Sequence, residues 1–348
     1  MKALHASVSC LIVTYADRRA LLGQVIGRLH EMSPRIDCVV IVFNGVPYDT
    51  DTFIANIGGL VPIHGVVLTT NTGSAEGYAT ALNSASQQTE SDFFWLLDDD
   101  NLPESDALDM LMSAAHLMGQ SPDVLLLSLR PDRWEYLAAA HTGEFAGFRT
   151  DAFNNFHIGE IFRRKLTGWR PFKWVAGQYP RYPLVCVSHA PYGGLMLNRN
   201  WIARVGFPLK AYFLYEDDHE YTGRIVRDGG QIYLCSASRV HDIDRSWFHT
   251  DNADCHYLLD PEASALRAYF GLRNRVATER QGHVSSSAWY LLNALIFAAR
   301  NLLVAYRYWF DRRFWRRVWL LAAAASAGWK GQVRPMDNKL AQWIDDHT

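Results

Sequence analysis

The sequence reads FFWLLDDDNLP over residues 93–103, so an uninterrupted apolar run ends in three consecutive aspartates. Because residues 93–97 are apolar at every position, they predict a strand that is buried on both faces. Like charges at the end of such a strand repel one another and lose hydration, so they need a cation, a proton or free access to solvent. The stretch therefore predicts either a cation site or a solvated acidic turn.

Strand-like and helix-like segments alternate over the first 120 residues. Buried strands are predicted at 8–15, 38–45, 63–70 and 92–100, and helices at 18–32, 74–88 and 104–118. This alternation predicts an α/β fold with a mostly parallel sheet that is flanked by helices. Open sheets of this kind bind ligands at the carboxyl ends of their strands, where the aspartate triplet lies. The fold prediction thus favours a site over a solvated turn.

The composition restricts the class of protein. A chain of 348 residues with 49% hydrophobic content can form one large or two ordinary domains with a substantial core. A formal net charge of −2 gives no general attraction to nucleic acid, and no such partner is expected. The five cysteines include no closely spaced pair, which fits a reducing compartment and argues against a zinc module. The N-terminus has no long apolar core of a signal peptide, so a cytoplasmic location is expected.

Several motifs that occur in order along residues 7–275 resemble the family 2 glycosyltransferases, whose nucleotide-sugar-binding domain has the Rossmann-like GT-A fold. VTYADRRALL (13–22) is similar to the family's opening strand and helix, NTGSAEGYATALNSA (71–85) to its Asn-x-Gly-x-x-x-Gly segment, and FFWLLDDDNLP to its Asp-x-Asp strand end. The resemblance implies donor-binding roles for five residues. These are Thr14 and Tyr15 at the base pocket, and Asn71, Gly73 and Gly77 where the backbone approaches the donor.

One turn departs from the family pattern. Members usually carry Val-Asp-Asn-Gly-Ser to hold uracil, but this chain reads VFNGV (42–46), with Phe43 in place of the aspartate and Asn44 after it. Recognition of the base must therefore differ in detail. Asn44 is retained as a donor-binding candidate because it ends the second predicted strand.

The acidic triplet suits a divalent cation. Asp98 and Asp100 are two residues apart on an extended strand end, so both can face one ion, while Asp99 points aside toward the ribose or a backbone amide. Hard oxygen ligands favour Mn²⁺ or Mg²⁺, which would stabilise the charge on a departing nucleotide diphosphate. The resemblance adds His241, in RVHD (239–242), at a position where many members bring a histidine to the metal.

A second acidic cluster, YEDDHEYTGR (215–224), lies on a predicted helix and resembles the family's catalytic acidic helix. Asp217 and Glu220 share a face of this helix, whereas Asp218 projects apart from Glu216 and Glu220. A carboxylate among carboxylates holds a proton more strongly, as a general base requires. The resemblance aligns Arg224 with the family's arginine four residues after its last acid, which places Glu220 at that acid and Asp218 at the base, with Asp217 beside it. Single displacement with inversion follows from that assignment.

The segment beyond about residue 280 is helical, aromatic and basic. Arg300 and Arg307 interrupt its apolar runs, so no apolar stretch reaches the roughly 18 residues expected of a spanning helix. Aromatic residues and arginines interleave at Trp309, Phe310, Phe314, Trp315 and Trp319 and at Arg307, Arg312, Arg313, Arg316 and Arg317. The pattern favours amphipathic helices on an anionic membrane surface, and the alternative is packing on the catalytic domain or on a sister subunit of a homo-oligomer.

Together these features predict a metal-dependent inverting glycosyltransferase of cell-envelope glycan synthesis, peripheral on the inner face of the membrane. Its donor would be a UDP- or dTDP-sugar, and its acceptor a glycan or a polyprenyl-linked sugar. YFGLRNR (269–275) resembles a segment of galactofuranosyl- and rhamnosyltransferases, which favours those sugars. The predicted division is a donor half at 1–125, an acceptor half with the base helix at 126–280, and amphipathic helices at 281–348.

Two alternatives and one irregular region complete the prediction. A phosphatase-like hydrolase with an aspartyl nucleophile usually carries Thr or Val where this chain has Leu102. A non-catalytic nucleotide-sugar-binding scaffold would tolerate loss of Asp218, which is present.

Residues 130–185 show no clean periodicity and are predicted to form loops and short elements of a substrate wall.

Overall fold

The computed structural model describes residues 6–32, 35–159, 161, 180–244 and 258–346. These residues form two compact units that are interleaved along the chain. The sheet unit contains residues 6–32, 35–147, 180–209 and 218–244. The helical unit contains residues 148–159, 161, 210–217 and 258–346.

The sheet unit is built on nine strands. They are β1 (Val8–Tyr15), β2 (Ile36–Asn44), β3 (Ile63–Leu68), β4 (Phe93–Asp98), β5 (Asn101–Pro103), β6 (Val124–Leu129), β7 (Leu184–Val187), β8 (Leu195–Asn198) and β9 (Gln231–Asp242). Their order is β3-β2-β1-β4-β8-β6-β9-β5, and β7 also pairs with β9. Strands β1 to β4 run parallel, and so do β6 and β9, whereas β8 is antiparallel to both of its neighbours. The predicted α/β fold with a mostly parallel sheet is confirmed.

Helices cover the sheet on both faces. They are α1 (Arg19–Glu31), α2 (Thr50–Ile57), α3 (Gly73–Gln88), α4 (Ala107–Leu117), α5 (Trp134–Thr142), α6 (Asn200–Val205) and α7 (Asp217–Arg227). Strand β4 shows why two hydrophobic layers form, because its side chains alternate between them. Phe94 and Leu96 belong to the layer that contains buried residues of α3, α5, α6 and α7. Phe93, Trp95 and Leu97 belong to the layer of α1 and α4.

The irregular segment predicted at 130–185 is described in part. Its described residues include α5 and the beginning of β7. Residues 160 and 162–179 lie outside the described part of the chain, and so does that portion of the predicted substrate wall.

The helical unit is built around one buried helix. Its helices are α8 (Ala265–Gly282), α9 (Ser287–Val304), α10 (Arg312–Trp329) and α11 (Asn338–Asp346), with short 3₁₀ turns at Lys210–Tyr212 and Tyr306–Tyr308. Helix α8 is buried over most of its length and contributes to a third hydrophobic core. Gly328 lets α10 approach it closely, because a Cβ at Gly328 would overlap the carbonyl oxygen of Arg273.

Helix α9 has a different character. Two of its residues, Tyr290 and Asn293, are buried. Among the helices that the structure describes, α9 alone is long and apolar enough to cross a membrane by length and composition, with one arginine, Arg300, inside it. Such a criterion is also met by core helices of other proteins, but α9 is mostly exposed.

A buried carboxylate joins α8 to α9 in the helical unit. Glu279 accepts hydrogen bonds from the Tyr290 hydroxyl (2.9 Å) and from the backbone N–H of Asn154 (3.2 Å), and it pairs with Arg275 (Nε to Oε1, 3.1 Å). Burial raises the pKa of Glu279 to about 7, although the charge of Arg275 opposes this shift. The raised pKa makes the stability of this unit dependent on pH.

We expect this dependence to disappear in Glu279→Gln. The folded pKa of about 7 exceeds the ordinary value of 4.5, so the folded chain binds the proton more tightly than the unfolded chain does. The resulting stabilisation is fully present below about pH 4.5 and is lost as pH rises through 7, a change of about 3 kcal/mol. Urea unfolding at several pH values between 5 and 8 would measure it. A variant that loses stability over this range as steeply as the natural chain would contradict the assignment.

Candidate active site

The acidic triplet lies where a turn connects β4 to β5. Asp98 is the last residue of β4, and β5 begins at Asn101. Strand β1 runs parallel to β4 on one side, with Val13 opposite Asp98. Strand β9 pairs with β5 and places Asp242 opposite Asn101. The fold therefore gathers four carboxylates at one end of the sheet.

Asp99 is the innermost of these carboxylates. It is buried, and it accepts hydrogen bonds from the Thr14 hydroxyl (2.7 Å) and from Nε of Arg18 (2.9 Å). Burial raises its pKa to about 6, against the opposing effects of Arg18 and Thr14. The prediction directed Asp99 toward a ribose or a backbone amide, but its partners here are two side chains. Thr14 accordingly supports Asp99, and its predicted place in a base pocket remains a prediction.

Arg18 is the main counter-charge of the triplet. Besides Asp99, its guanidinium pairs with Asp100 (Nη2 to Oδ2, 2.8 Å) and with Asp244 (Nη1 to Oδ2, 2.7 Å), and it lies 5.4 Å from the centre of the Tyr15 ring. Burial, followed by the charges of Asp98 and Asp99, raises the pKa of Asp100 to about 7, although Arg18 opposes this. Tyr15 thus lies beside the acidic site under a cation, and its role toward a nucleobase remains a prediction.

Arg130 connects Asp98 to Asp242. Its Nη1 lies 3.7 Å from Asp98 Oδ2, and its Nη2 donates to Asp242 Oδ1 at 2.5 Å. Asn101 Nδ2 also donates to Asp242 Oδ1 (3.0 Å). The Tyr78 hydroxyl donates to the other oxygen of Asp98 (2.8 Å). Asp98 is nevertheless the most open member of the triplet, with 41% of its side chain exposed.

Gly193 leaves space beside Asp98. A Cβ at this position would lie 2.8 Å from Asp98 Oδ2 and 2.7 Å from Arg130 Nη1, and it would overlap Asn101 Oδ1. These contacts are too short for any side chain. The missing side chain therefore keeps open the approach to the exposed carboxylate.

The donor set fits a divalent cation that arrives with its substrate. Among the described residues, no three His, Cys, Asp or Glu side chains are arranged to hold an ion alone. Mg²⁺, however, is ordinarily bound in proteins through one or two carboxylates, with water and substrate phosphates filling its other positions. Asp98 supplies hard oxygens of that kind at an open place, whereas Asp100 is only 15% exposed and accepts hydrogen bonds from Arg18 and from Asn101 Nδ2. The residues thus fit an ion whose shell a diphosphate completes.

His241 lies next to the site but faces another partner. Its Nε2 is 2.9 Å from Oε1 of Glu104. Neighbouring side chains of a strand point to opposite faces, so His241 and Asp242 diverge on β9. The sequence prediction did not include Asp242, the carboxylate that joins the acidic site. Metal ligation by His241 remains a prediction.

Asn44, Asn71 and Gly73 build the turn at the beginning of α3. Asn44 donates from Nδ2 to Gly73 O (2.9 Å) and accepts from Thr72 N (2.8 Å). The Asn71 side chain accepts from Gly73 N (2.9 Å), and Gly73 has a φ of 82°, which glycine adopts without strain. A Cβ at Gly77 would lie 2.6 Å from Val13 Cγ1, so glycine allows α3 to pack on β1. Contacts of these residues with a donor remain predictions.

The acids of α7 differ in exposure. Asp217 and Glu220 are buried, whereas Asp218 is half-buried and accepts from the backbone N–H of His219 (2.8 Å). Glu220 pairs with Arg224 (2.7 Å), which also donates to two backbone carbonyls beyond α6 and at its end. Burial raises the pKa of Glu220, against the charge of Arg224. Glu220 therefore supports the packing of α7, and Asp218 is its most accessible acid.

A buried tyrosine relates Asp218 to the acidic site. The pKa of Tyr136 is raised well above its ordinary value by burial, then by the charges of Glu135 and Asp218, while Arg130 opposes these effects. Asp218 and Arg130 thus act on the same buried tyrosine with opposite effects, and both belong to the sheet unit.

Comparison with known proteins follows this geometry. Residues 9–155 match the model of the family described as "Glycosyl transferase family 2". No curated protein sequence matches the chain. The crystal structure of GalNAc-T7 with UDP, GalNAc and Mn²⁺ is 12% identical with a TM-score of 0.53, over 98% of this chain and 54% of that one. This chain therefore spans about half of that protein's length.

Two other solved structures are similar over most of both chains. S. aureus TarS 1-349 is 12% identical, with 94% and 82% of the two chains covered and a TM-score of 0.48. The mannosyltransferase PcManGT from Pyrobaculum calidifontis, in complex with GDP-Man and Mn²⁺, is 16% identical, with 92% and 86% covered and a TM-score of 0.47.

The family match and the fold agree with the sequence prediction. The chain has a GT-A-type α/β fold with additional C-terminal helices, and its residues 9–155 match the family 2 glycosyltransferase model. The family match over residues 9–155 and the fold together support a glycosyltransferase.

Two adjacent arginines provide a test of the charge balance. We expect Arg18→Met to lower the free energy of unfolding at pH 8 by about 3 kcal/mol, because it leaves buried carboxylates without their counter-charge. Arg19 is the matched control, since it pairs with Asp17 at the exposed surface. Arg19→Met should leave the unfolding midpoint nearly unchanged. Equal shifts for the two variants in a urea titration would show that Arg18 does not neutralise the triplet.

Proposed function

We propose that the protein transfers a sugar from a nucleoside diphosphate donor to an acceptor hydroxyl with inversion, using Mn²⁺ or Mg²⁺. The observation that carries this proposal is that one unit contains both an open carboxylate, Asp98, and a half-buried acid on α7, Asp218. Asp98 and Asp100 would hold the ion. The distribution of burial on α7 leaves Asp218 as the acid that an acceptor can reach.

Each side chain then has a defined part. Asp218 accepts the proton of the acceptor hydroxyl as its oxygen attacks the anomeric carbon, and no covalent intermediate is needed. A bound cation would neutralise charge on the departing diphosphate. Arg18 and Arg130 orient the carboxylates around this place and limit their mutual repulsion. Asp217 and Glu220 keep α7 packed.

The donor is proposed to be a UDP- or dTDP-sugar, with galactofuranose or rhamnose as the transferred group. YFGLRNR and the acidic helix support these sugars through their resemblance to enzymes that transfer them. The proposed acceptor is a lipid-linked or polysaccharide glycan of the cell envelope.

Asp218→Asn tests the proposed base. The purified protein is incubated with a panel of nucleotide sugars, Mn²⁺ and candidate acceptors, and nucleotide release and product are measured with and without EDTA. We expect the variant to lose about 10³-fold in kcat, since general base catalysis contributes on this scale. Asp51→Asn, at an exposed acid of α2, is the control and should retain full activity. A fully active Asp218→Asn enzyme would falsify the assignment, and nucleotide release without any glycoside product would indicate a hydrolase.

The helical unit has a surface suited to a membrane. Helix α9 exposes large apolar side chains, among them Leu291, Leu295 and Leu303, and the side chain of Phe310 after it is almost fully exposed. Exposed arginines occur in and after this helix at positions 300, 307, 312, 313 and 316, and Arg313 among them also pairs with Asp311 and Glu262. We propose that this α9 surface binds anionic lipid, with the leucines in the acyl region and the arginines at the headgroups.

Point variants test this binding better than a truncation, because α9 to α11 share a hydrophobic core with α8. We expect Leu291→Glu/Leu295→Glu to reduce co-sedimentation with vesicles that contain anionic lipid by at least about tenfold. Two leucines that enter the acyl region of a membrane contribute several kcal/mol to the free energy of binding. Leu117→Glu, at an exposed leucine of α4, is the matched control. Equal binding by both variants would contradict the proposal, and binding to neutral vesicles alone would remove the role of the arginines.

A further inference from the structure

The chain enters α7 through a strained segment. Residues Phe213, Tyr215 and Glu216 have φ values of 61°, 65° and 62°, in the left-handed region that favours glycine. None of them is glycine, so their side chains crowd the backbone in this conformation. Asp217 follows directly as the first residue of α7. A segment of this kind keeps its conformation only where surrounding contacts enforce it.

Asn274 of α8 supplies contacts of this kind. Its side-chain amide is fully buried. Nδ2 lies within donor distance of three carbonyl oxygens of the segment, those of Tyr212 (2.7 Å), Leu214 (2.9 Å) and Tyr215 (2.9 Å). Two of these carbonyls belong to the residues on either side of Phe213 and the third to left-handed Tyr215, so one amide group contacts the strained turn at three points.

Arg273 fixes the orientation of that amide. Its Nε donates to Asn274 Oδ1 (2.8 Å), which leaves Nδ2 directed at the segment. The same guanidinium donates to the carbonyl oxygens of Ala211 (2.8 Å) and Arg334 (2.9 Å). A flip of the Asn274 amide would place two donors against each other, so the network determines one orientation.

Arg275 holds the last residue before α7. Its Nη1 lies 2.9 Å and 3.1 Å from the two carboxylate oxygens of Glu216. Its guanidinium lies 4.2 Å from the centre of the Phe148 ring, and its Nε pairs with Glu279. Three consecutive residues of α8 therefore bind residues 211–216 from end to end. We call this arrangement the 273–275 clamp.

We propose that Asn274 is a positioning residue for catalysis, because the 273–275 clamp sets the conformation from which α7 and its Asp218 begin. The inference rests on the proposed role of Asp218. Without the amide, the left-handed residues would relax toward commoner backbone conformations and rotate the first turn of α7. Asn274 acts through this backbone and needs no contact with substrate.

Asn274→Ala tests this role against a closely matched control, Asn293→Ala. Asn293 is also fully buried in the helical unit, and its amide also bonds to backbone, donating to Asp151 O (2.8 Å) and accepting from Ile158 N (2.8 Å). We expect Asn274→Ala to lower kcat about 10²-fold, because a small misplacement of a catalytic group has effects of this size. The KM for the donor and the affinity for Mn²⁺ should change less than about twofold, since Asn274 contacts neither. Asn293→Ala should keep kcat near that of the natural enzyme.

Hydrogen exchange provides a readout that does not depend on Asp218. Amides of residues 213–218 should exchange faster in Asn274→Ala than in the natural chain, and Asn293→Ala should leave them unchanged. Arg275→Lys, which keeps the charge but loses the paired contact with Glu216, serves if Asn274→Ala does not fold, and should show the same pattern with a smaller loss of kcat.

The outcomes separate the two proposals. Equal losses of kcat in the Asn274 and Asn293 variants, or faster exchange at 213–218 with unchanged kcat, would overturn the positioning role. An active Asp218→Asn enzyme would instead overturn the proposed base, and faster exchange in Asn274→Ala would then still establish the clamp as a backbone constraint.

Discussion

The desolvation of carboxylates at the end of β4 is the constraint on which the sheet unit depends. A parallel strand buried on both faces brings its last residues out of bulk water, and here those residues are charged. Two arginines offset that cost by pairing with the carboxylates: Arg18 in the loop after β1 and Arg130 at the end of β6. The partition of charge is uneven, because Asp99 is buried with two partners while Asp98 keeps an open face. Because the two arginines neutralise part of the charge, the unit can fold without a bound ion and still offer carboxylate oxygens to a ligand.

Local patterns explain why much of this could be predicted. The apolar runs and helical spacings of the first 120 residues predicted β1 to β4 and α1, α3 and α4 within about three residues at each end, because each element buries side chains at its own period. The acidic triplet was found for the same reason, since charge at the end of an apolar run is visible in sequence. The resemblance to the family then added roles that spacing alone could not supply.

The partners of the triplet could not be predicted, because they come from distant positions. Asp244 pairs with Arg18 across 226 positions of sequence, and Arg130 joins Asp98 to Asp242 only because β6 and β9 are neighbours in the sheet. Strand order is a property of the whole fold, and side chains on loops acquire partners from it. His241 and Asp242 show the limit of sequence-based prediction. Both residues were visible in the motif RVHD, but the pairing of β9 with β5 determines that Asp242, and not His241, points toward the acidic triplet. The RNR residues (273–275) were likewise recognised as a family feature. Their contacts with residues 211–216 could not be predicted, because that turn lies some sixty residues earlier in the chain.

The position of β8 has a consequence for how the sheet is made. This strand lies between β4 and β6 and pairs with both, yet it begins at residue 195, long after β4 ends at 98 and β6 ends at 129. During synthesis, β3-β2-β1-β4 can pair as soon as they leave the ribosome. The free edge of β4 then has no neighbour until residues 195–198 emerge. Over that interval the edge of β4, an apolar strand, exposes unpaired backbone N–H and C=O groups. Sheet proteins in this state are most prone to pair with another chain.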